Sequence, residues 1–348
     1  MDVRQLKEIL RAVAAAPSPS GTEDGAAAVI AAFFENTGAK ISADALGNLS
    51  VILNPDAPGG VTLTAHMDKI GMIVKAVDPD TGFLRVDRLG GTDARVLAAA
   101  RVRVYGKKTL DGVVISTPPH LAEKDGDKTA LDFSELGIDC GLPAAQMREL
   151  VVPGDRILYA PAFYELQGER VSAPYLDNSA GVAAVVAGAL DAFYAGCKKR
   201  TACVFTTREE TGGQGAGAAA FSSATAATLV TDVSFACQPG VRREESSPLG
   251  SGAMIHCSPI LQRSMTERLS ALAEKNGIPF TYEVSSRSTG TDADNIVNAA
   301  GGRLTGLVSI PIRNMHTPAE LLDLKDLGAV AALFTAYLTD KEGQTDAF

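Results

Sequence analysis

The chain has no tryptophan, and only 5% of its 348 residues are aromatic, against 46% hydrophobic and 21% charged. This is the composition of an ordinary folded globular protein rich in alanine and glycine, long enough for about two domains and a substantial core. Positive charge is scarce: 32 Lys and Arg stand against 41 Asp and Glu, for a net charge of −9. With no basic patch to offset that balance, no nucleic acid partner is expected. Cysteine is sparse too, and Cys140, Cys197, Cys203, Cys237 and Cys257 form no Cys-x-x-Cys pair and keep no regular spacing. They read as reduced thiols acting mostly as small buried hydrophobes. Asp2, Arg4, Lys7 and Glu8 occupy the first turns, and no run of 18 apolar residues follows, so no membrane association is expected and the cytoplasm is the default location. There is no internal repeat and no low-complexity tract.

What the chain does have is a strand that runs into two adjacent carboxylates. Residues 203–207 alternate β-branched and aromatic side chains as a buried strand does; Glu209 and Glu210 follow, and a glycine-rich turn leads to an alanine-rich helix at 216–221. Ligands of open α/β sheets bind beyond the carboxyl ends of strands, and neighbours on an extended chain point opposite ways. One glutamate can therefore hold a metal while the other faces a reacting group. The bland alternative is a solvated acidic turn.

Taken in order, the spacing of Leu6, Ile9, Leu10 and Val13 predicts a helix over 1–16, and a second helix over 23–37 would be capped by Ser20 or Thr22. Strands are predicted at 47–53 and 61–65, the second ending in His66-Met67-Asp68. Residues two apart on a strand share a face, so Asp68 can accept a hydrogen bond from the His66 ring and fix which nitrogen remains for a metal. Short alternating segments at 71–77, 82–86, 101–105, 112–116 and 155–158, parted by turns such as Leu89-Gly-Gly-Thr92, indicate a small all-β unit inserted between about 70 and 166. The α/β texture then resumes: a long helix at 176–194, strand 201–207, a helix, strand 228–233, helix 265–276, strand 303–311 and helix 324–338, before a polar tail expected to fray.

His66, Asp177, Glu209, Glu210, Asp232 and His316 all fall at predicted strand ends or before helices. Two imidazoles and four carboxylates are the ligand inventory of a site for two borderline divalent ions such as Zn²⁺, Co²⁺ or Mn²⁺. Singly, Asp177 reads as a helix N-cap, Asp232 as a turn residue and His316 as a loop histidine. Of the four histidines, His120 and His256 read as structural. Gly215-Ala-Gly217-Ala-Ala-Ala220 approximates a dinucleotide fingerprint, but Glu209 and Glu210 just upstream would repel a pyrophosphate. The glycines read better as a tight turn beneath the glutamates and as close packing of the following helix.

Together these stretches resemble the M42 metallo-aminopeptidases, also called tetrahedral aminopeptidases. The resemblance rests on Ala65-His-Met-Asp-Lys-Ile-Gly71, Leu176-Asp-Asn178 with Ala180-Gly181, Glu209-Glu-Thr-Gly212 with Gly215-Ala216, Thr231-Asp-Val233, Thr289-Gly-Thr-Asp-Ala293, and Ser309-Ile-Pro-Ile-Arg with His316-Thr-Pro-Ala-Glu320. It implies a mixed-sheet α/β/α dinuclear-metal peptidase domain at 1–69 and 167–348, with a small all-β domain for subunit contacts inserted at 70–166. It further implies that Asp177 bridges two divalent ions, most often Zn²⁺ with Co²⁺ or Mn²⁺ as alternatives. His66 and Asp232 would complete one site, Glu210 and His316 the other. Glu209 would be the general base, with Asp68 behind His66. The expected substrates are short peptides with a free N-terminus, and the expected assembly is a homo-oligomer forming a hollow particle, with a dodecamer as the candidate form. Two departures stand out: Ser179 where the family usually has arginine, and the Gly212-Gly213-Gln214 run where bulkier residues are commoner. The competing expectations are a two-metal amidohydrolase acting on acylated amino acids or sugars, and a catalytically inactive structural relative.

Overall fold

A computed structural model of the chain describes residues 1–118 and 132–340. His120 and the polar tail lie outside the described residues. Helices α1 (Val3–Ala15) and α2 (Asp24–Ala32) precede strands β1 (Lys40–Ala43), β2 (Leu49–Leu53) and β3 (Val61–His66). Then come β4 (Gly71–Val77), β5 (Leu84–Leu89), β6 (Arg101–Tyr105), β7 (Thr109–Ile115), β8 (Gly137–Asp139), α3 (Ala144–Leu150) and β9 (Arg156–Tyr159). The chain continues through β10 (Tyr164–Glu165), β11 (Arg170–Ala173), α4 (Leu176–Tyr194), β12 (Thr201–Thr206), α5 (Gln214–Ser222) and β13 (Ala227–Phe235). It ends with β14 (Ala253–Cys257), α6 (Arg263–Lys275), β15 (Phe280–Val284), α7 (Ala293–Ile296), β16 (Leu304–Arg313), β17 (Glu320–Asp323) and α8 (Leu324–Thr339).

Eleven strands form one mixed sheet in the order β1-β2-β12-β3-β13-β16-β17-β11-β10, with β14 on β16 and β15 on β14. Strands β12, β3, β13 and β16 are parallel neighbours at its centre. They are buried along nearly their whole length, as strands covered on both faces must be, with threonines among the apolar residues. Helices α1, α4 and α8 cover one face and α5 and α7 the other, making a three-layer α/β/α body. The remaining six strands, β4-β5-β8-β7-β6-β9, close into a separate antiparallel barrel around its own core, including Met72, Leu84, Val104 and Ile157.

Several expectations need correction. The second helix stops at Ala32 and continues only as a 3₁₀ turn, Glu35–Thr37; neither Ser20 nor Thr22 caps it, and Ser20 Oγ instead meets Thr211 Oγ1 at 2.9 Å. The short strands β1, β8, β10, β11, β14, β15 and β17 escape the periodicity, because two to five residues carry too few alternations to stand out. Helix α4 is long and apolar enough by length and composition to cross a membrane, but it is interrupted by Asp177 and Asp191, and 89% of its most apolar window is buried within the protein. All five cysteines are free, but only Cys203 is fully buried.

Helices α4 and α8 approach closely at Gly188, where a β-carbon would lie 2.8 Å from Phe334 Cβ and 2.9 Å from the Ala331 carbonyl oxygen. Gly188→Val is therefore expected to overpack this seam and to cost about 1–3 kcal/mol, measured as a lowered thermal or denaturant midpoint. An unchanged midpoint would show that the helices can part there without penalty.

Candidate active site

The four parallel strands bring their carboxyl ends to one edge of the sheet, and the singled-out residues gather there. His66 is the last residue of β3, Glu209 and Glu210 lie in the turn after β12, Asp232 is within β13, and His316 follows β16. Asp177 reaches the same place from the start of α4.

Asp177 sits between two groups. Its Oδ1 is 3.2 Å from His66 Nε2, which is also 3.5 Å from Asp232 Oδ1. Its Oδ2 is 3.2 Å from His316 Nε2, which is also 3.5 Å from Glu210 Oε2. The ligand atoms of each triplet, His66–Asp177–Asp232 and Asp177–Glu210–His316, lie within 4.8 Å of one another. Glu209 lines the same cavity. Asp68 lies behind His66 and does more than face the ring. The ring Nδ1 is 3.2 Å from the Asp68 carbonyl oxygen and 3.4 Å from its Oδ1. A carbonyl can only accept, so Nδ1 carries a hydrogen, and Nε2 is the ring nitrogen turned toward the cluster. The Asp68 carboxylate itself accepts the backbone N–H groups of Glu209 at 2.9 Å and Glu210 at 3.2 Å, fixing the glutamate turn.

The local backbone is unusual wherever a site residue is presented. Tyr175, Arg208 and His316 all have φ between 60° and 65°, the left-handed region that side chains with a Cβ rarely enter. The Asp177–Asn178 peptide is cis. Asn178, not Asp177, acts as the helix cap: Gly181 N–H donates to its Oδ1 at 2.9 Å, while its Nδ2 donates to the Thr231 carbonyl at 3.0 Å. This frees the Asp177 carboxylate. Beyond the glutamates, a β-carbon on Gly215 would lie 2.3 Å from the Thr207 carbonyl oxygen, so α5 packs directly against the end of β12.

Burial pushes the Glu209 carboxyl up to about 9 and Glu210 well above the carboxylate range, with the Asp177 charge adding to the shift at Glu210. Burial would lower His66, but Asp232, Asp177 and Asp68 outweigh it and raise its pKa. Asp177 is held low against its burial by His316 and His66. Glu210 Oε1 is buried without a hydrogen-bond partner, and no Lys or Arg is among the described residues lining the cavity. Crowded buried carboxylates with an orphaned oxygen call for cations, and imidazole nitrogen with carboxylate oxygen suits borderline divalent ones.

Sequence reasoning missed several participants. Glu320, fully buried, accepts the Asp177 N–H at 3.0 Å and the His316 N–H at 2.8 Å, gripping two members of the cluster at once. It stands four residues after His316, within a stretch quoted for the resemblance, and that spacing was the available signal. Gly91 of the barrel turn lies against His316: a β-carbon there would be 2.4 Å from its Nδ1. Gly90 lies beside Glu210, with a left-handed φ of 68°. His256, read as structural, lines the cavity with Glu283. Buried Asp292, its Oδ2 2.5 Å from Thr206 Oγ1, has its carboxyl pushed up to about 7 by burial. Ser179 is buried, and its hydroxyl finds no partner among the described residues.

The lysyl aminopeptidase of Pyrococcus furiosus is 31% identical over 340 residues, 96% of each chain. The solved aminopeptidase APDkam598 of Desulfurococcus kamchatkensis superposes with a TM-score of 0.88 at 29% identity, covering 97% of this chain and 95% of that one. The Pyrococcus horikoshii TET1 peptidase, described as assembling into a tetrahedron or a large octahedral shell, gives 0.83 at 30% identity over 96% and 99% of the two chains. The model of the M42 glutamyl aminopeptidases matches residues 47–333, and the chain belongs to that family of aminopeptidases.

Proposed function

We propose that this aminopeptidase removes N-terminal residues from short peptides at a two-metal centre, with Asp177 bridging, His66 and Asp232 completing one site, and Glu210 and His316 the other. The observation that carries the reading is the division of one carboxylate, each Asp177 oxygen 3.2 Å from a different imidazole nitrogen. Those five residues would hold two divalent ions, Zn²⁺ or alternatively Co²⁺ or Mn²⁺, whose chemistry there would be Lewis acidity toward a water and the scissile carbonyl. Glu209 is the general base: it takes a proton from the attacking water and returns it to the departing amine. Its place on the wall of the cavity that holds the cluster supports this role. Asp68 orients both His66 and the glutamate turn, and Glu320 orients Asp177 and His316.

We also propose that 70–166 forms an inserted β domain serving a homo-oligomer, a dodecamer among its forms, in the cytoplasm. The assembly described for the P. horikoshii relative and the separate core of the barrel support this reading.

Three outcomes are expected. Glu209→Gln should retain metal by elemental analysis while kcat on an aminoacyl anilide falls by about 10²–10⁴-fold; near-wild-type turnover would remove Glu209 from the role. Asp177→Ala should fail to hold stoichiometric metal after dialysis, and full occupancy would contradict the bridge. Gly91→Ala should drive a methyl into the His316 ring and lower kcat/KM by about 10²-fold with loss of bound metal. Gly217→Ala, whose added carbon meets nothing nearer than 4.0 Å, provides the control.

A further inference from the structure

One end of the site cavity takes no part in the chemistry just described. The cavity is about 270 Å³, just under the ~300–1,000 Å³ usual for small-molecule sites, and so suits a single residue. His256 on β14 and Glu283 on β15 are direct cross-strand neighbours and line it with Ser234 of β13 and Ser309 of β16. Ser234 Oγ donates to Glu283 Oε1. Glu283 Oε2 is 3.2 Å from His256 Nδ1 but misaligned, so both atoms are buried without a hydrogen-bond partner. His256 Nε2 is already engaged with Ser285 Oγ at 2.9 Å. Burial would raise the Glu283 carboxyl, but His256, Ser234 and Ser309 outweigh it and hold it below the usual carboxylate range.

We propose that Glu283 determines specificity, receiving the side-chain ammonium or guanidinium of an N-terminal lysine or arginine; this rests on the peptidase reading above. An ionised, desolvated carboxylate with one unsatisfied oxygen gains most from a charged donor. An aliphatic side chain would bury it further without a partner. A glutamyl or aspartyl side chain would meet like charge, with no Lys or Arg among the described residues lining the cavity to receive it. The chain thus departs from the glutamyl preference in its family's description.

The test uses the full-length, metal-loaded enzyme with Lys, Arg, Leu and Glu p-nitroanilides. The wild type is expected to show a kcat/KM at least ~tenfold higher for Lys or Arg than for Leu, with Glu poorest, and Glu283→Gln to lower the Lys-to-Leu ratio at least ~tenfold, mainly through KM. A wild type that favours Leu or Glu, or a ratio unmoved by Glu283→Gln, overturns the assignment. If no anilide is cleaved, the peptidase reading fails, and calorimetry with lysinamide and leucinamide decides the role of Glu283 separately. Lysinamide preference that disappears in Glu283→Gln supports it, and equal binding of the two amides overturns it. Were Glu283→Gln not to fold, the wild-type ranking alone decides.

Discussion

The controlling constraint is negative charge packed where water cannot reach it. Asp177 and Asp232 are almost fully buried, and Glu210 and Glu209 are drawn into the same cavity, with only imidazoles as counter-groups. A fold that merely avoided cost would not gather carboxylates in this way, because each loses hydration and repels the next. The arrangement makes sense as a receptor for cations. The single carboxylate of Asp177 is the point where the two halves meet, and the neighbouring sheet, turns and helix start all serve to present it.

Short acidic side chains cannot search far for a ligand position, so the backbone behind them must be placed accurately. Here that placing is done by other carboxylates that accept main-chain N–H groups. Asp68 takes those of Glu209 and Glu210; Glu320 takes those of Asp177 and His316. Each links residues far apart in sequence, so a shift in one half of the site is resisted by the other. The left-handed Tyr175, Arg208 and His316 stand beside or within the presented residues, each at a cost of about 1–3 kcal/mol that the surrounding bonds must offset.

Much of this was legible in the sequence. Buried parallel strands have strong apolar runs, and charged or imidazole residues at or just beyond their carboxyl ends are conspicuous, which is why His66, Glu209, Glu210, Asp232 and His316 stand out. The inserted all-β texture was equally visible in the turns between short alternating segments. What stayed hidden was anything that depends on two distant segments meeting. Glu320 is an ordinary acidic residue until its backbone partners are known, and Gly91 is an ordinary turn glycine until His316 is seen against it. Glu283 lies on a five-residue edge strand too short to register by period, and it joins the cavity only because β14 brings His256 alongside. The bland alternative for Asp177, a helix N-cap, gives way for a related reason: Asn178 takes the cap, and nothing in spacing alone distinguishes which of two adjacent cap formers will do so.

The site also depends on a polar seam that sequence reading passed over as part of a motif. Lys69 follows Asp68 and is 1% exposed, and its ammonium donates to the carbonyls of Val13, Ala14 and Ala16 at 2.5–3.0 Å. These carbonyls lie at the end of α1, where the helix dipole favours a cation. Burial pushes the Lys69 ammonium down to about 7, with the Glu320 charge opposing the fall. The same ammonium lies 5.1 Å from the ring centre of Tyr175, whose hydroxyl accepts the Tyr159 N–H at 2.5 Å from the barrel strand β9. Tyr175 stands two residues before Asp177. One buried amine therefore ties the first helix, the barrel and the bridging carboxylate together, and without it the carbonyls of Ala14 and Ala16 would lose this donor at about 1–3 kcal/mol each. The barrel is thus more than an appendage, since through Tyr159 on one side and Gly91 on the other it helps fix where Asp177 and His316 stand.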